Sequence, residues 1–141
     1  MTRVDFYLLP QDDAHTRPLF ACRLAEKAYQ LGHRIYIHTE SALQTRHLDE
    51  LLWTYREDSF LPHGPLAPDL DPVPAILLGH DAEPEQNTDV LINLAAEVPL
   101  FFGRFERVAE IIDGQEACRR QGRERYGFYR DRGYELKTHQ L

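Results

Sequence analysis

The chain has 141 residues, of which 43% are hydrophobic and 28% are charged, and its formal net charge is -7 at pH 7. This composition excludes a disordered or fibrous protein, and the length predicts one globular domain spanning residues 1–141. No apolar run reaches the roughly 18 residues that a membrane span needs, and the N-terminus lacks a signal-peptide pattern. We therefore expect a cytoplasmic protein without membrane contact.

The first part of the chain predicts a strand, a helix and a second strand. Residues 4–10, "VDFYLLP", form a compact apolar run typical of a buried strand. The next segment has helical spacing of its apolar residues, with Thr16 expected as the N-cap and Gly32 ending the helix. Residues 33–39, "HRIYIHT", then predict another strand.

A second helix and an irregular loop follow. Ser41 and Gln44 have the spacing of a capping box, which predicts a helix over residues 42–53. Residues 60–74 contain five prolines and one glycine. This segment is too broken for regular structure beyond a short bridge, and we predict a loop.

The C-terminal half predicts three strands and a helix. Short apolar runs at residues 75–80, 89–95 and 106–113 are typical of buried strands, and a helix is expected over residues 115–130. The final segment, residues 134–141, is compatible either with an edge strand or with a surface tail.

This order of elements predicts an α/β fold. Apolar runs that do not alternate cleanly favour a largely parallel sheet covered on both faces, a three-layer Rossmann-like domain. A nucleotide-binding domain of this kind carries a glycine-rich turn after its first strand. Here that turn is "LLPQDDAHTRP", which has no glycine and in which Asp12 and Asp13 would repel a phosphate. We predict the fold without its nucleotide-binding loop.

Catalytic and metal-binding patterns are missing from the sequence. The seven histidines fall in different elements without HxH or HExxH spacing, and Cys22 and Cys118 have no second cysteine at metal or redox spacing. Ser41 is expected to be a helix cap and Ser59 a loop residue, and no GxSxG motif is present. The sequence therefore predicts a protein with no catalytic residues, no metal and no cofactor.

Positive charge is concentrated near the C-terminus. Residues 119–137 contain seven basic and three acidic side chains, a local balance of +4, so the remainder of the chain carries -11. The acidic body argues against general coating of nucleic acid, because that mode needs a wide positive surface. A compact positive patch is better suited to a short acidic partner.

The last predicted helix places part of this charge on one face. At about 100° per residue, Arg119, Arg123, Tyr126 and Arg130 form one stripe. The residues expected to contact the sheet lie about 60–100° to one side and are Cys118, Gly122 and Tyr129. Arginine grips carboxylates through a planar fork and a neighbouring ring receives an apolar side chain, so the stripe is suited to an acidic peptide with an aromatic end.

Two alternatives remain open for these residues. The arginines could form a solvated face, paired with Glu116 or Glu124. Trp53, at the end of a predicted helix, and Phe60, in the following loop, could be core residues or the wall of an exposed groove.

Several long motifs in this chain resemble one family. They are "DFYLL", "ACRLAEKAYQLGHRIYI", "LDELLWTYREDSFLPH", "DVLINL" and "GRERYGFYRDRGYEL". Together, in order and over almost the whole chain, they resemble the chi subunit of bacterial DNA polymerase III holoenzyme. The resemblance implies a noncatalytic accessory subunit that binds the psi subunit of the clamp loader and the acidic C-terminal tail of single-stranded DNA-binding protein, contacting DNA only indirectly.

The resemblance also implies a binding site for that tail, which in the family ends in phenylalanine. The residues that it assigns to the site here are Trp53, Phe60, Ile112, Arg119, Arg123 and Tyr126. Arg123 is expected to contact the terminal carboxylate or the acidic side chains of the tail. Two other classes remain as alternatives, a nucleotide-dependent enzyme and a direct binder of single-stranded nucleic acid on the same fold.

Overall fold

A computed structural model describes residues 1–58 and 60–141, so the assignment of Ser59 to a loop lies outside the described residues. The elements in chain order are β1 (Arg3–Leu8), α1 (Thr16–Gln30), β2 (Ile35–His38), α2 (Ala42–Thr54), β3 (His63–Pro65), β4 (Ile76–Gly79), β5 (Val90–Asn93), a 3-10 turn (Phe102–Arg104), β6 (Arg107–Ile112), α3 (Glu116–Asp131) and β7 (Glu135–Gln140).

Across the described residues, the strands form a single seven-stranded sheet in the order β3-β4-β2-β5-β6-β1-β7. Every neighbouring pair is parallel. The first strand lies between two late ones, because Leu8 is in register with Ile112 of β6 on one side and with Gln140 of β7 on the other. The α/β prediction with a parallel sheet is confirmed.

Helices and loops cover both faces of the sheet. On one face, Ala21 and Cys22 of α1 and Leu48 of α2 pack in a core with strand residues such as Ile92. On the other face, α3 and the 3-10 turn pack on the opposite side chains of the same strands, with Tyr129 fully buried. The three-layer prediction is therefore confirmed. None of the described helices has the length and apolar character required to cross a bilayer.

The beginning of α1 differs from the prediction. Thr16 is the first helical residue, and the cap position falls on His15. The cause lies in Asp13, whose carboxylate accepts the His15 N–H at 2.8 Å and whose carbonyl accepts the Thr16 N–H at 3.2 Å. The turn at Asp13 thus brings the chain into the helix one residue earlier than predicted, and Thr16 lies inside the helix.

The capping box of α2 forms with a shifted second bond. The Ser41 hydroxyl accepts the Gln44 N–H at 3.2 Å, as predicted. The Gln44 side chain accepts the N–H of Glu40, one residue before the expected partner, at 2.6 Å. Both bonds still supply acceptors at the start of the helix, so the sequence pattern identified the correct boundary.

One short strand lies in the segment predicted to be a loop, and another decides between the two alternatives for the final segment. Within the proline-rich segment, His63–Pro65 pairs with β4 as a three-residue edge strand. At the other edge, Glu135–Gln140 pairs with β1, so the final segment is an edge strand rather than a surface tail.

A buried polar cluster fixes α3 on the sheet. Glu110 of β6 is fully buried, and its carboxylate accepts from Arg125 Nε at 2.8 Å, the Tyr129 hydroxyl at 2.7 Å and Asn93 Nδ2 at 3.0 Å. Arg125 also donates to the Ala96 carbonyl at 2.9 Å. Burial and the charge of Glu110 raise the pKa of Tyr129, which keeps this hydroxyl a donor.

We predict that Arg125→Ala lowers the free energy of unfolding by about 3–5 kcal/mol, because it leaves a buried carboxylate without its cation. Urea unfolding followed by circular dichroism measures this change. The matched control is Arg130→Ala, at an exposed arginine of the same helix, with an expected change within about 0.5 kcal/mol. Equal losses in the two variants would contradict the structural role of Arg125.

Candidate partner-binding site

The predicted site lies at a cavity of about 560 Å³ between the start of α3 and the carboxyl ends of β1, β6 and β7. Its lining comprises Phe6, Leu8, Leu9, Pro10, Ile112, Asp113, Arg119, Gly122, Arg123, Tyr126, Thr138, Gln140 and Leu141. The structure thus brings together four of the predicted residues, Ile112, Arg119, Arg123 and Tyr126.

Two glycines allow the close packing that forms the cavity. Gly122 faces Ile112, and a Cβ at this position would lie 2.6 Å from Ile112 Cδ1. A side chain there would therefore force either the Ile112 side chain to move or α3 to shift relative to β6. Gly114 contacts the loop after β1, where a Cβ would lie 3.0 Å from the Gln11 carbonyl oxygen that accepts the Gly114 N–H at 2.7 Å.

The apolar part of the cavity is largely aromatic. Tyr126 is half-buried and meets Phe6 edge-to-face, with ring centroids 5.1 Å apart. Phe6 also packs edge-to-face on Tyr129, at 6.0 Å. This arrangement fixes the Phe6 and Tyr126 rings as rigid walls against which an apolar or aromatic group could pack.

The cationic part consists of Arg119 and Arg123, which are both exposed. The alternative of a salt-bridged surface requires pairs with Glu116 or Glu124. Within the described residues, neither arginine has an ion pair or side-chain hydrogen bond. Their guanidinium groups are therefore available to an incoming carboxylate.

The other arginines of residues 118–133 have different roles. Arg125 is buried against Glu110. Arg130 Nε lies 3.3 Å from Asp131 Oδ1. Arg130 does not line the cavity, although the helical wheel places it in one stripe with Arg119 and Arg123. The Arg132 guanidinium stacks 3.6 Å from the centre of the Phe128 ring. The arginines of this segment thus differ in role. Arg125 is buried and ion-paired, whereas Arg130 and Arg132 contact neighbouring side chains at the surface.

The structure places Trp53 and Phe60 elsewhere. Their rings meet edge-to-face at 5.8 Å, and Trp53 packs 4.5 Å from the ring of His63 in β3. Because β3 and β7 are opposite edges of the sheet, this aromatic patch is separate from the cavity. The prediction of one shared cleft is therefore wrong, since α2 ends against the far edge.

Trp53 and Phe60 are also not core residues. Trp53 is 51% exposed and Phe60 is 81% exposed. We call these two residues the aromatic patch.

The cavity walls from β1 and β7 are not predicted from the sequence. The sequence pattern predicts only a buried strand for the segment that contains Leu8, Leu9 and Pro10. For the segment that contains Thr138 and Gln140, it allows either an edge strand or a surface tail. The sequence gives one indication of these walls, namely that Pro10 closes the first predicted strand.

Two further features of the described residues concern metal binding and thiol reactivity. The described residues contain no group of three or more His, Cys, Asp or Glu side chains arranged to hold a metal. Burial raises the pKa of Cys118 and raises that of Cys22 to about 12, so both thiols are held in the protonated, unreactive form. What the cavity can do is bind an acidic, partly apolar ligand.

Comparison with known proteins identifies the family of this chain. The family model described as "DNA polymerase III chi subunit, HolC" matches residues 1–137. The chain belongs to this family. The "DNA polymerase III subunit chi" of Pseudomonas aeruginosa is 42% identical over 141 residues, covering 100% of this chain and 98% of the relative.

Other members of the chi family are more distant. The subunit chi of Haemophilus influenzae is 32% identical over 136 residues, which cover 94% of this chain and 93% of the relative. The subunit chi of Escherichia coli is 28% identical over 147 residues, which cover 98% of this chain and 97% of the relative. All three are named as subunits of a DNA polymerase, so the family is one of replication subunits.

A solved structure outside the chi family shares the fold. The crystal structure of T4 UvsW matches with a TM-score of 0.69 at 10% identity, over 99% of this chain and 42% of that chain. At this identity the likeness concerns the fold alone.

The separation of the two surfaces predicts how this chi-family chain responds to a ligand in the cavity. Trp53 is the only tryptophan and lies on the aromatic patch, so we expect its fluorescence to stay unchanged when an acidic peptide ending in phenylalanine binds. Acrylamide should quench the same fluorescence, because the indole is half exposed. A shift of the emission on peptide binding would instead place the ligand on the patch.

Proposed function

We propose that this chain is a noncatalytic accessory subunit of the bacterial DNA polymerase III holoenzyme. It links the clamp loader, through psi, to the acidic C-terminal tail of single-stranded DNA-binding protein. It acts in the cytoplasm and touches DNA only through this second protein.

The observation that carries the proposal is the pairing of two free guanidinium groups with an aromatic cavity. Arg119 and Arg123 have no acidic partner within the described residues, while Phe6, Tyr126 and Ile112 provide an apolar recess beside them. A tail that combines carboxylates with a final phenylalanine supplies the complement to both parts.

In the proposed complex, Arg123 binds the terminal carboxylate or the nearest acidic side chain of the tail. The last ring of the tail packs against Tyr126 and Ile112, where both walls are already held by the core. Trp53 and Phe60 take no part in this contact, because they lie at the other edge of the sheet.

A weak site of this kind is sufficient because the tails are presented several at a time. A micromolar site corresponds to about -8 kcal/mol. Several tails on one coated strand raise the effective concentration, so that the polymerase stays near its template without a tighter individual contact.

We predict that Arg123→Ala weakens binding of a labelled tail peptide by about tenfold or more, because it removes a charge-assisted hydrogen bond. Fluorescence anisotropy at increasing salt measures this. The affinity of the unmodified chain should also fall as the ionic strength rises.

The matched control is Arg130→Ala, which removes the same charge from the same helix outside the cavity. Its affinity should stay within about twofold of the unmodified chain, because long-range charge effects are screened. Equal losses in the two variants, or an affinity indifferent to salt, would contradict the proposed contact. Tight binding of bare single-stranded DNA would favour a direct nucleic-acid binder instead.

A bridging subunit needs a second surface that stays free while the tail is bound. We assign psi to the aromatic patch, because its two exposed rings lie at the opposite edge of the sheet from the cavity. Exposed aromatic side chains are the residue type that most often dominates protein interfaces.

We predict that Phe60→Ala weakens psi binding by about tenfold or more while leaving tail binding unchanged. Calorimetric titration with each partner measures both effects. The control is Leu100→Ala, which shortens a fully exposed apolar side chain away from the patch and should change neither affinity. Loss of tail binding in Phe60→Ala would contradict the separation of the two surfaces.

A further inference from the structure

A second group of clefts lies beyond the carboxyl ends of β2, β5 and β6, and the smaller one borders the arginine cavity at Asp113, which lines both. The two clefts measure about 500 Å³ and about 330 Å³ and share Arg17, Gln44, His47 and Leu94 as lining residues. Gln121 of α3 completes the larger one. Neither contains a residue of the aromatic patch.

The topology makes this end of the sheet a natural place for a ligand. Adjacent strands β1 and β6 continue into helices that cover opposite faces, α1 on one and α3 on the other. In open α/β sheets such a change of direction opens a crevice at the carboxyl ends of the strands, where ligands bind.

Arg17 is the distinctive residue of the clefts. Its side chain is half-buried, and Nε donates to the Ile111 carbonyl at 2.7 Å, which fixes the guanidinium in place. In the described residues, no carboxylate lies within ion-pair distance of it. Burial lowers the pKa of Arg17, and the charges of Glu110 and Asp113 act against this shift.

The acidic residues that line the clefts each accept a backbone N–H. Asp113 accepts the Gln115 N–H at 2.9 Å, and Glu40 accepts the Ala96 N–H at 2.8 Å. Asp12 and Asp13, which argue against a phosphate at the start of α1, are exposed and are not among the lining residues.

Further donors surround the guanidinium. Gln44 uses its side-chain oxygen to accept the Glu40 N–H, which leaves the amide NH2 to donate into the cleft. His47 and Gln121 add ring and amide donors. Behind the Ala96 wall, the buried Arg125 has an Nη2 atom without a partner in the described part of the chain.

We propose that Arg17, with Gln44, His47 and Gln121, binds a phosphate group, either free or carried by a mononucleotide. A planar guanidinium with flanking amide donors is a typical phosphate receptor. The volume of the larger cleft falls within the range of small-molecule sites, and the acidic body of the protein disfavours a nucleic-acid polymer. None of these four residues lines the tail cavity, and the proposal does not rest on the proposed function.

The test is a titration of the full chain with inorganic phosphate and, separately, with adenosine monophosphate, at constant ionic strength, followed by amide NMR shifts. We expect saturable shifts at Gln44, His47 and Gln121. In Arg17→Gln the dissociation constant for phosphate should rise at least about tenfold. In the control Arg120→Gln, an exposed arginine of α3 outside the clefts, it should not change.

The two ligands distinguish the source of the phosphate. Tighter binding of the mononucleotide supports a carried phosphate, and equal binding supports a free one. If Arg17→Gln does not fold, His47→Ala, at an exposed residue, provides the same test with an expected loss of at least about threefold. Absence of saturable shifts, equal losses in Arg120→Gln, or displacement of phosphate by the acidic tail peptide would overturn the proposal.

Discussion

The ion pair and hydrogen bonds of the buried Glu110 carboxylate are the interactions on which the position of α3 beside the cavity depends. It stands on an otherwise apolar face of β6 and is fully buried, so its charge must be matched inside the protein. Arg125 and Tyr129 supply donors from positions four residues apart on α3, and Asn93 supplies another from the neighbouring strand. A helix held at two points one turn apart cannot rotate about its axis without breaking these bonds. The cluster therefore sets which side of α3 faces the solvent.

The same constraint explains how one helix carries arginines of two kinds. With Arg125 held inward, the helical repeat turns Arg119 and Arg123 outward beside the strand ends. Gly122 brings the helix close enough to Ile112 for the cationic edge and the aromatic recess to meet. The basic residues of α3 thus include one buried, ion-paired arginine, Arg125, and two exposed arginines, Arg119 and Arg123, at the edge of the cavity.

The sequence predicts the elements well because their apolar runs and capping residues act locally. It predicts poorly what depends on distant strands. The family resemblance joins Trp53 and Phe60 to the arginines, and nothing in the local sequence pattern reveals that α2 ends at the far edge of the sheet. The buried role of Arg125 is not predicted from the sequence, because its partner Glu110 lies 15 positions earlier in a strand with no distinguishing motif. The cap position falls on His15 rather than Thr16 because of a turn at Asp13 that periodicity does not detect.

The position of β1 between β6 and β7 has a consequence for biosynthesis. The wall of the cavity is completed by Thr138 and Gln140, on the strand that leaves the ribosome after all the others. A nascent or prematurely terminated polypeptide that stops before residue 135 lacks this wall, whatever else it has folded. Under the proposed function, tail binding is in this way restricted to molecules whose translation has passed the last strand.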